Sequence, residues 1–227
     1  MFLRNRSHSF LSAIVFSLSC FYALALNAQT AAPQQLKKVQ DTNEQNSAVL
    51  AVVLGQPVTV KKATPSINDL VQLREDAGDN YSAVLDHIIK VNASNAVIQA
   101  VLDDYAKQKN IALNQQWAKQ FETKFGREVS DSEQASTNIE DIAKKQVLLF
   151  QTERAMYEEF GGRVIFRQSN PQMPIDAYQA LLKRYQVSGK LTFNDSQLAS
   201  SFWESFAPPF QFEIPAENVD FSTPWWL

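Results

Sequence analysis

The alternation of hydrophobic and polar positions first predicts a short β-hairpin. Residues 48–54 form an apolar run rich in valine, residues 55–57 read Gly-Gln-Pro, and residues 58–60 read Val-Thr-Val. Short β-branched runs on either side of a turn that contains glycine and proline are typical of paired strands. We therefore expect two short antiparallel strands between residues 48 and 60.

From Pro65 onward the hydrophobic spacing changes to that of amphipathic helices. Apolar residues at intervals of three and four predict helices over 67–73, 81–89, 97–105, 117–125 and 139–160. Residues 74–80 interrupt this pattern. We expect Ser94 to cap one helix and Gly126 to end another, and the S-x-x-E pattern of residues 130–133 to cap the long helix.

The last third of the chain mixes both kinds of pattern. Residues 163–167 alternate like a strand, a helix follows Pro174, and residues 191–193 are short and extended. Asp195 or Ser196 is expected to cap a final helix that ends before Pro208-Pro209.

The pattern as a whole predicts a mainly α-helical protein, with a helical bundle, a short β-hairpin at its start, and a small C-terminal α+β segment. We place the helical domain at 48–160 and the aromatic-rich C-terminal segment at 161–227. Residues 29–47 are rich in Gln, Asn, Thr and Lys without hydrophobic periodicity, and are interpreted as a flexible lead-in. A chain of 227 residues is long enough to bury a core of its own.

The first 28 residues have the order of a secretory signal peptide. Arg4 and Arg6 precede a nearly uncharged apolar run over 10–26, and small residues at Ala-x-Ala spacing follow. We expect cleavage near residue 28 and a periplasmic location. An uncleaved anchor is the first alternative, and it would make the signal segment the only contact with a membrane. A lipoprotein modified at Cys20 is the second.

Charge and cysteine content narrow the possible partners. The net charge is −3, which argues against a nucleic-acid partner recognised through its phosphates. A single cysteine excludes an intrachain disulfide framework. Neither clustered metal ligands nor a glycine-rich phosphate loop occurs, so we expect no metal and no cofactor.

The sequence offers no catalytic constellation that we recognise. His87 lies within a predicted amphipathic helix and is interpreted as a surface or boundary residue, and no G-x-S-x-G motif is present. The acidic turn at Asp76, Asp79 and Asn80 has too few ligands for a calcium loop and is interpreted as solvated. We predict that the protein is not an enzyme; a hydrolase using two carboxylates from separate segments stays open.

Aromatic residues are concentrated near the end of the chain. Residues 202–227 hold eight in 26 positions, against 11% in the whole sequence. They either pack a small C-terminal core or form a docking tail at Trp225, Trp226 and Leu227. Such a tail would enter a groove on this chain or on a partner. If the groove is the chain's own, removing residues 219–227 should raise the affinity for peptides.

Two stretches carry a resemblance to a known family. Residues 50–59 read Leu-Ala-Val-Val-Leu-Gly-Gln-Pro-Val-Thr, and residues 106–113 read Ala-Lys-Gln-Lys-Asn-Ile-Ala-Leu. With the long helix over 139–160, they resemble the N-terminal domain of SurA-type periplasmic chaperones, whose motifs are V-A-V-V-N-G-x-x-V-T and A-x-x-x-G-I-x-V. The resemblance covers about half of the chain. Leu54 replaces the polar residue of the strand turn, and no parvulin domain follows.

The resemblance implies non-catalytic binding of unfolded, aromatic-rich envelope polypeptides, outer-membrane proteins among them, and no prolyl isomerase activity. We expect binding to use the apolar stripes of two predicted helices, which are formed by Val97, Val101, Tyr105, Leu149, Met156 and Tyr157. The alternative is an envelope structural protein or a protein that binds a small apolar ligand, which would have a closed apolar pocket.

Overall fold

The structure is a computed structural model, which describes residues 48–130 and 138–227. The predicted signal peptide over 1–28 and the lead-in over 29–47 lie outside the described residues. Most of the capping pattern predicted at 130–133 lies outside them too.

Helices dominate the described residues, and the strands are short. The helices are α1 (Val60–Ala63), α2 (Ile67–Ala77), α3 (Tyr81–Gln108), α4 (Gln115–Ser130), α5 (Ile139–Phe160), α6 (Ile175–Val187) and α7 (Ser196–Glu204). The strands are β1 (Val49–Val53), β2 (Gln56–Thr59), β3 (Val164–Arg167), β4 (Asn170–Met173), β5 (Leu191–Phe193) and β6 (Glu213–Ile214). They form two antiparallel sheets, so the predicted mainly α-helical class with a little β-structure is confirmed.

The described residues divide into two compact units that are discontinuous in sequence. The hairpin unit contains residues 48–100 and Ser188–Ser205. The aromatic unit contains the described part of Val101–Val187 together with Phe206–Leu227. Each unit therefore includes residues from both sides of the boundary predicted at 160/161.

The sheet of the hairpin unit has the order β2-β1-β5. The predicted hairpin is present, and its turn holds Leu54 at φ 53° and Gly55 at φ 75°. Two consecutive positive φ angles suit the tight turn of a twisted hairpin, and asparagine adopts that conformation at lower cost than leucine. Residues 191–193 complete the sheet as β5, which pairs Leu191 with Val53.

Two helix ends in the hairpin unit differ from the prediction. The predicted interruption over 74–80 is shorter, because α2 continues to Ala77 and ends at Gly78 with φ 51°. The Ser94 cap is wrong, because α3 runs through this position without a break. The Ser94 hydroxyl instead donates a 2.8 Å hydrogen bond to the Lys90 carbonyl, which allows serine to sit inside a helix.

The aromatic unit is built around the packed pair α4 and α5. Gly126 does not end α4, which continues to Ser130. The long helix α5 begins after Asn138, whose Oδ1 accepts a 3.0 Å hydrogen bond from the Glu140 amide. The core of this unit joins both helices to β3 and to residues near the end of the chain. Its fully buried members include Phe121, Ala143, Val147, Val164 and Trp226.

Candidate functional site

Five aromatic side chains on α4 and α5 form one cluster, which we call the aromatic seat. Its members are Trp117, Phe121 and Phe125 of α4 and Phe150 and Tyr157 of α5. Spacings of four and seven residues keep the members of each helix on one side. The two helices meet where the ring of Trp117 lies edge-on to Phe150, with 5.7 Å between the centroids.

Residues 219–227, which we call the tail segment, lie against the aromatic seat. The centroid of the Trp226 ring is 5.4 Å from that of Phe121 and 5.7 Å from that of Phe150, and both pairs have edge-to-face geometry. The Trp226 side chain is 1% exposed. Edge-to-face pairs stabilise a contact beyond the area that they bury, so Trp226 is the main anchor of the segment.

Two further rings of the tail segment also contact the seat. The ring centroids of Phe221 and Tyr157 are 4.9 Å apart, and Phe221 is buried. The ring centroids of Trp225 and Phe125 are 6.0 Å apart, and Trp225 is partly buried. The tail segment therefore touches the seat at three points spread over six residues.

Side chains, rather than a strand ladder, hold the backbone of the tail segment. The Lys124 ammonium donates a 2.6 Å hydrogen bond to the Trp226 carbonyl. The Gln172 side-chain amide exchanges two 2.8 Å hydrogen bonds with the backbone of Asp220. Among the described residues, the main-chain hydrogen bonds of the segment are local, such as Leu227 N–H to the Pro224 carbonyl.

One polar atom of the tail segment, buried against the seat, has no hydrogen-bond partner. The indole Nε1 of Trp226 is the only buried side-chain nitrogen or oxygen without a hydrogen bond among the described residues. Its neighbours Phe121 and Phe150 carry no nitrogen or oxygen atom that could accept a hydrogen bond from it. An unsatisfied buried donor of this kind costs about 1–3 kcal/mol.

An open cavity of about 440 Å³ adjoins the end of the tail segment. Besides Trp226 and Leu227, it is lined by polar and cationic residues of α4, namely Gln116, Lys119, Gln120, Thr123 and Lys124. Leu227 itself is 50% exposed. The last residue of the tail segment is therefore accessible to solvent.

A buried carboxyl lies on α5 between two members of the seat. Glu153 is 2% exposed, and its Oε1 accepts 2.6 Å hydrogen bonds from the Asn170 amide and the Tyr178 hydroxyl. Burial raises the pKa of Glu153 to about 8, although both hydrogen bonds oppose the shift. The carboxyl is therefore mostly neutral at pH 7 and joins α5 to β4 and α6.

The six residues predicted to bind peptide differ in their exposure to solvent. Val97, Val101, Tyr105 and Met156 are fully buried, whereas Leu149 and Tyr157 are partly exposed. The four buried side chains belong to the core in this structure, and a role for them in peptide binding stays a prediction. Of the six, Tyr157 is the member of the aromatic seat.

The docking tail predicted at Trp225, Trp226 and Leu227 lies on the chain itself. Trp226 is part of the core, Trp225 is at its edge, and Leu227 is half exposed. These contacts are those of a packed core, and a docking role for the tail stays a prediction.

Sequence reasoning missed Lys124, Gln172 and Glu153. None of them belongs to a motif, and their partners are between 17 and 102 residues away in sequence. For Glu153 a signal was available, because a glutamate three residues after Phe150 and four before Tyr157 interrupts an apolar stripe.

In the part of the chain that the structure describes, no group of three or more histidine, cysteine, aspartate or glutamate side chains is arranged to hold a metal ion. His87 is exposed on α3. Within the same residues, no helix is both long and apolar enough to cross a bilayer.

Comparison with protein-family models, with curated proteins and with solved structures gave no match to this chain. The use of the aromatic seat therefore has to be inferred from its own geometry.

Proposed function

We propose that the protein binds extended, aromatic-rich segments of other polypeptides without changing them chemically, as a chaperone or an assembly accessory in the periplasm. The observation that carries this proposal is that the aromatic seat already holds such a segment. The tail segment has rings at Phe221, Trp225 and Trp226 and is held by ring contacts and side-chain hydrogen bonds.

The chemistry of these contacts suits varied partners. Burying one aromatic side chain stabilises a contact by a few kcal/mol, and aromatic residues are frequent anchors of protein interfaces. Because the contacts of the segment are made through rings and two backbone positions, a partner needs aromatic residues at suitable intervals rather than a fixed sequence. Unfolded outer-membrane proteins are the partners implied by the resemblance to SurA-type chaperones.

The first test measures whether the purified chain, from Gln29 onward, keeps a urea-diluted outer-membrane protein from aggregating. Two variants loosen the tail segment: Trp226→Ser removes its anchor, and Lys124→Met removes only the hydrogen bond to the Trp226 carbonyl. Trp203→Ser is the matched control, because Trp203 is a partly buried tryptophan on α7 in the hairpin unit.

We expect the wild-type protein to suppress aggregation. Lys124→Met should suppress it at a lower protein concentration, because its tail segment leaves the aromatic seat more often. Trp203→Ser should act like wild type, provided that circular dichroism shows it to be folded. Wild type and Lys124→Met that are both folded and both without effect would rule out the proposal. The Trp226→Ser result counts only if circular dichroism shows that this variant is folded. If the variant is unfolded, the Lys124→Met result decides.

A further inference from the structure

Trp226 Nε1, the only buried side-chain nitrogen or oxygen without a hydrogen bond in residues 48–130 and 138–227, lies where the tail segment is most deeply buried. Trp226 Nε1 has no hydrogen-bond acceptor, and the side chain is 1% exposed, so neither protein nor solvent satisfies the N–H. The rings around it, Phe121 and Phe150, carry no polar atom.

The rest of the same contact is well matched. The Trp226 ring meets both phenylalanine rings edge-to-face, and its carbonyl is paired with Lys124. The mismatch is therefore confined to the N–H group. A different ring of similar shape would keep every favourable contact and lose the unfavourable one.

We infer that the aromatic seat selects an aromatic side chain without a hydrogen-bond donor, for which phenylalanine is the natural residue, and that Trp226 is a self-ligand poised for displacement by it. This inference rests on the proposed function, since it names the ligand class of the same seat. Tryptophan keeps the seat filled, and its unsatisfied donor keeps the occupancy weak enough to be reversed.

Phenylalanine alone is an imperfect probe of this idea. It removes the donor but is smaller than tryptophan, so part of the gain is offset by contacts that it leaves unmade. Benzothienylalanine separates the two effects, because a sulfur atom replaces the N–H in a ring of nearly the same shape. The matched control carries the same replacement at Trp225, which is only partly buried and whose Nε1 is not among the buried unpartnered atoms of the described residues.

The experiment measures the dissociation constants of three synthetic peptides covering residues 219–227 for the Lys124→Met chain, by fluorescence anisotropy competition. One peptide has the native sequence, and the others carry benzothienylalanine in place of Trp226 or of Trp225. We expect the first replacement to tighten binding by about tenfold, which equals about 1.4 kcal/mol, and the second by less than twofold. Equal effects of the two replacements would overturn the inference.

A measurement within the intact chain separates this inference from the proposed function. A semisynthetic protein with benzothienylalanine in place of Trp226 should show amide exchange over residues 219–227 that is about tenfold slower than in wild type. If no peptide binds and this exchange still slows, the selectivity of the seat holds and the proposed function fails. If peptides bind with equal affinity, the proposed function stands and the selectivity is rejected. Unchanged exchange without peptide binding rejects both.

Discussion

Lys124 donates a 2.6 Å hydrogen bond from its Nζ to the carbonyl oxygen of Trp226, which lies 102 residues further along the chain. The same tryptophan has its ring buried against Phe121, one turn before Lys124 on α4. Helix α4 therefore holds one residue of the tail segment twice, once through its side chain and once through its backbone. The ring supplies most of the attraction, and the ammonium fixes the position of the segment along the helix.

Lys124→Met should loosen the tail segment while leaving the fold in place. A hydrogen bond to a charged group contributes about 1.5–3 kcal/mol, so amide exchange over residues 219–227 should accelerate by about tenfold or more. Lys119→Met is the control, since Lys119 pairs with Glu122 on the surface of the same helix. Equal exchange in the two variants would show that Lys124 does not hold the segment.

Truncation of the anchor ring should be costly. Trp226→Ala is expected to lower the free energy of unfolding by about 3–5 kcal/mol, because it removes a buried ring and leaves a cavity. Leu227→Ala, at a half-exposed neighbour, should cost about 1 kcal/mol or less. Urea unfolding measures both. A loss below about 1 kcal/mol for Trp226→Ala would contradict the buried position of the ring.

The raised pKa of Glu153 should make the fold less stable as pH increases. The folded state favours the neutral carboxyl up to about pH 8, whereas an ordinary glutamate ionises near 4.5. The contribution of this group to the free energy of unfolding is therefore largest below pH 4.5 and falls between pH 4.5 and about 8, by up to about 5 kcal/mol.

Glu153→Gln isolates this contribution, because it keeps an oxygen acceptor for the Asn170 amide and the Tyr178 hydroxyl and cannot ionise. The difference in stability between the variant and wild type should grow in favour of the variant from pH 5 to pH 8.5. Glu158→Gln, at an exposed position on α5, should show no such trend. Parallel pH profiles of wild type and Glu153→Gln would refute the assignment.

The close approach of the Asp176 side chain should make Gly162 intolerant of a side chain of its own. A Cβ atom at Gly162 would lie 2.5 Å from the Cβ of Asp176, and φ is 92°. Asp176 also accepts two 2.9 Å hydrogen bonds from the Arg163 guanidinium, so the Gly162→Ala change displaces that pair. We expect a loss of about 2 kcal/mol or more in thermal or urea unfolding. Gly161→Ala, with open space at φ 60°, should cost clearly less; equal losses would contradict the steric argument.

The secondary structure could largely be predicted because its signals are local. The valine-rich runs predicted the hairpin, and the three-and-four spacing of apolar residues predicted the helices. Of the two caps predicted for α7, the structure has Asp195, which accepts a 2.7 Å hydrogen bond from the Leu198 amide. The errors have local reasons too. Ser94 and Gly126 are both tolerated inside helices whose apolar stripes continue past them.

The arrangement of the elements could not be predicted in the same way. The pairing of β5 with β1 joins residues about 140 positions apart, for example Ala51 with Phe193, and no periodicity records such a partner. The aromatic seat could not be predicted for the same reason. The aromatic richness near the chain end was visible in the sequence, but the helix face that receives Trp226 depends on how α4 and α5 pack.

The most direct test of the central claim follows the tail segment while a partner binds. A phenylalanine-rich unfolded polypeptide, such as a urea-diluted outer-membrane protein, is added to the full chain, and amide exchange is measured over residues 219–227 and over the seat helices, residues 115–126 and 139–160. If partner and tail segment share the aromatic seat, exchange in the tail segment should accelerate with partner concentration while the seat helices stay protected. Bound partner at saturation with unchanged exchange in the tail segment would contradict the account.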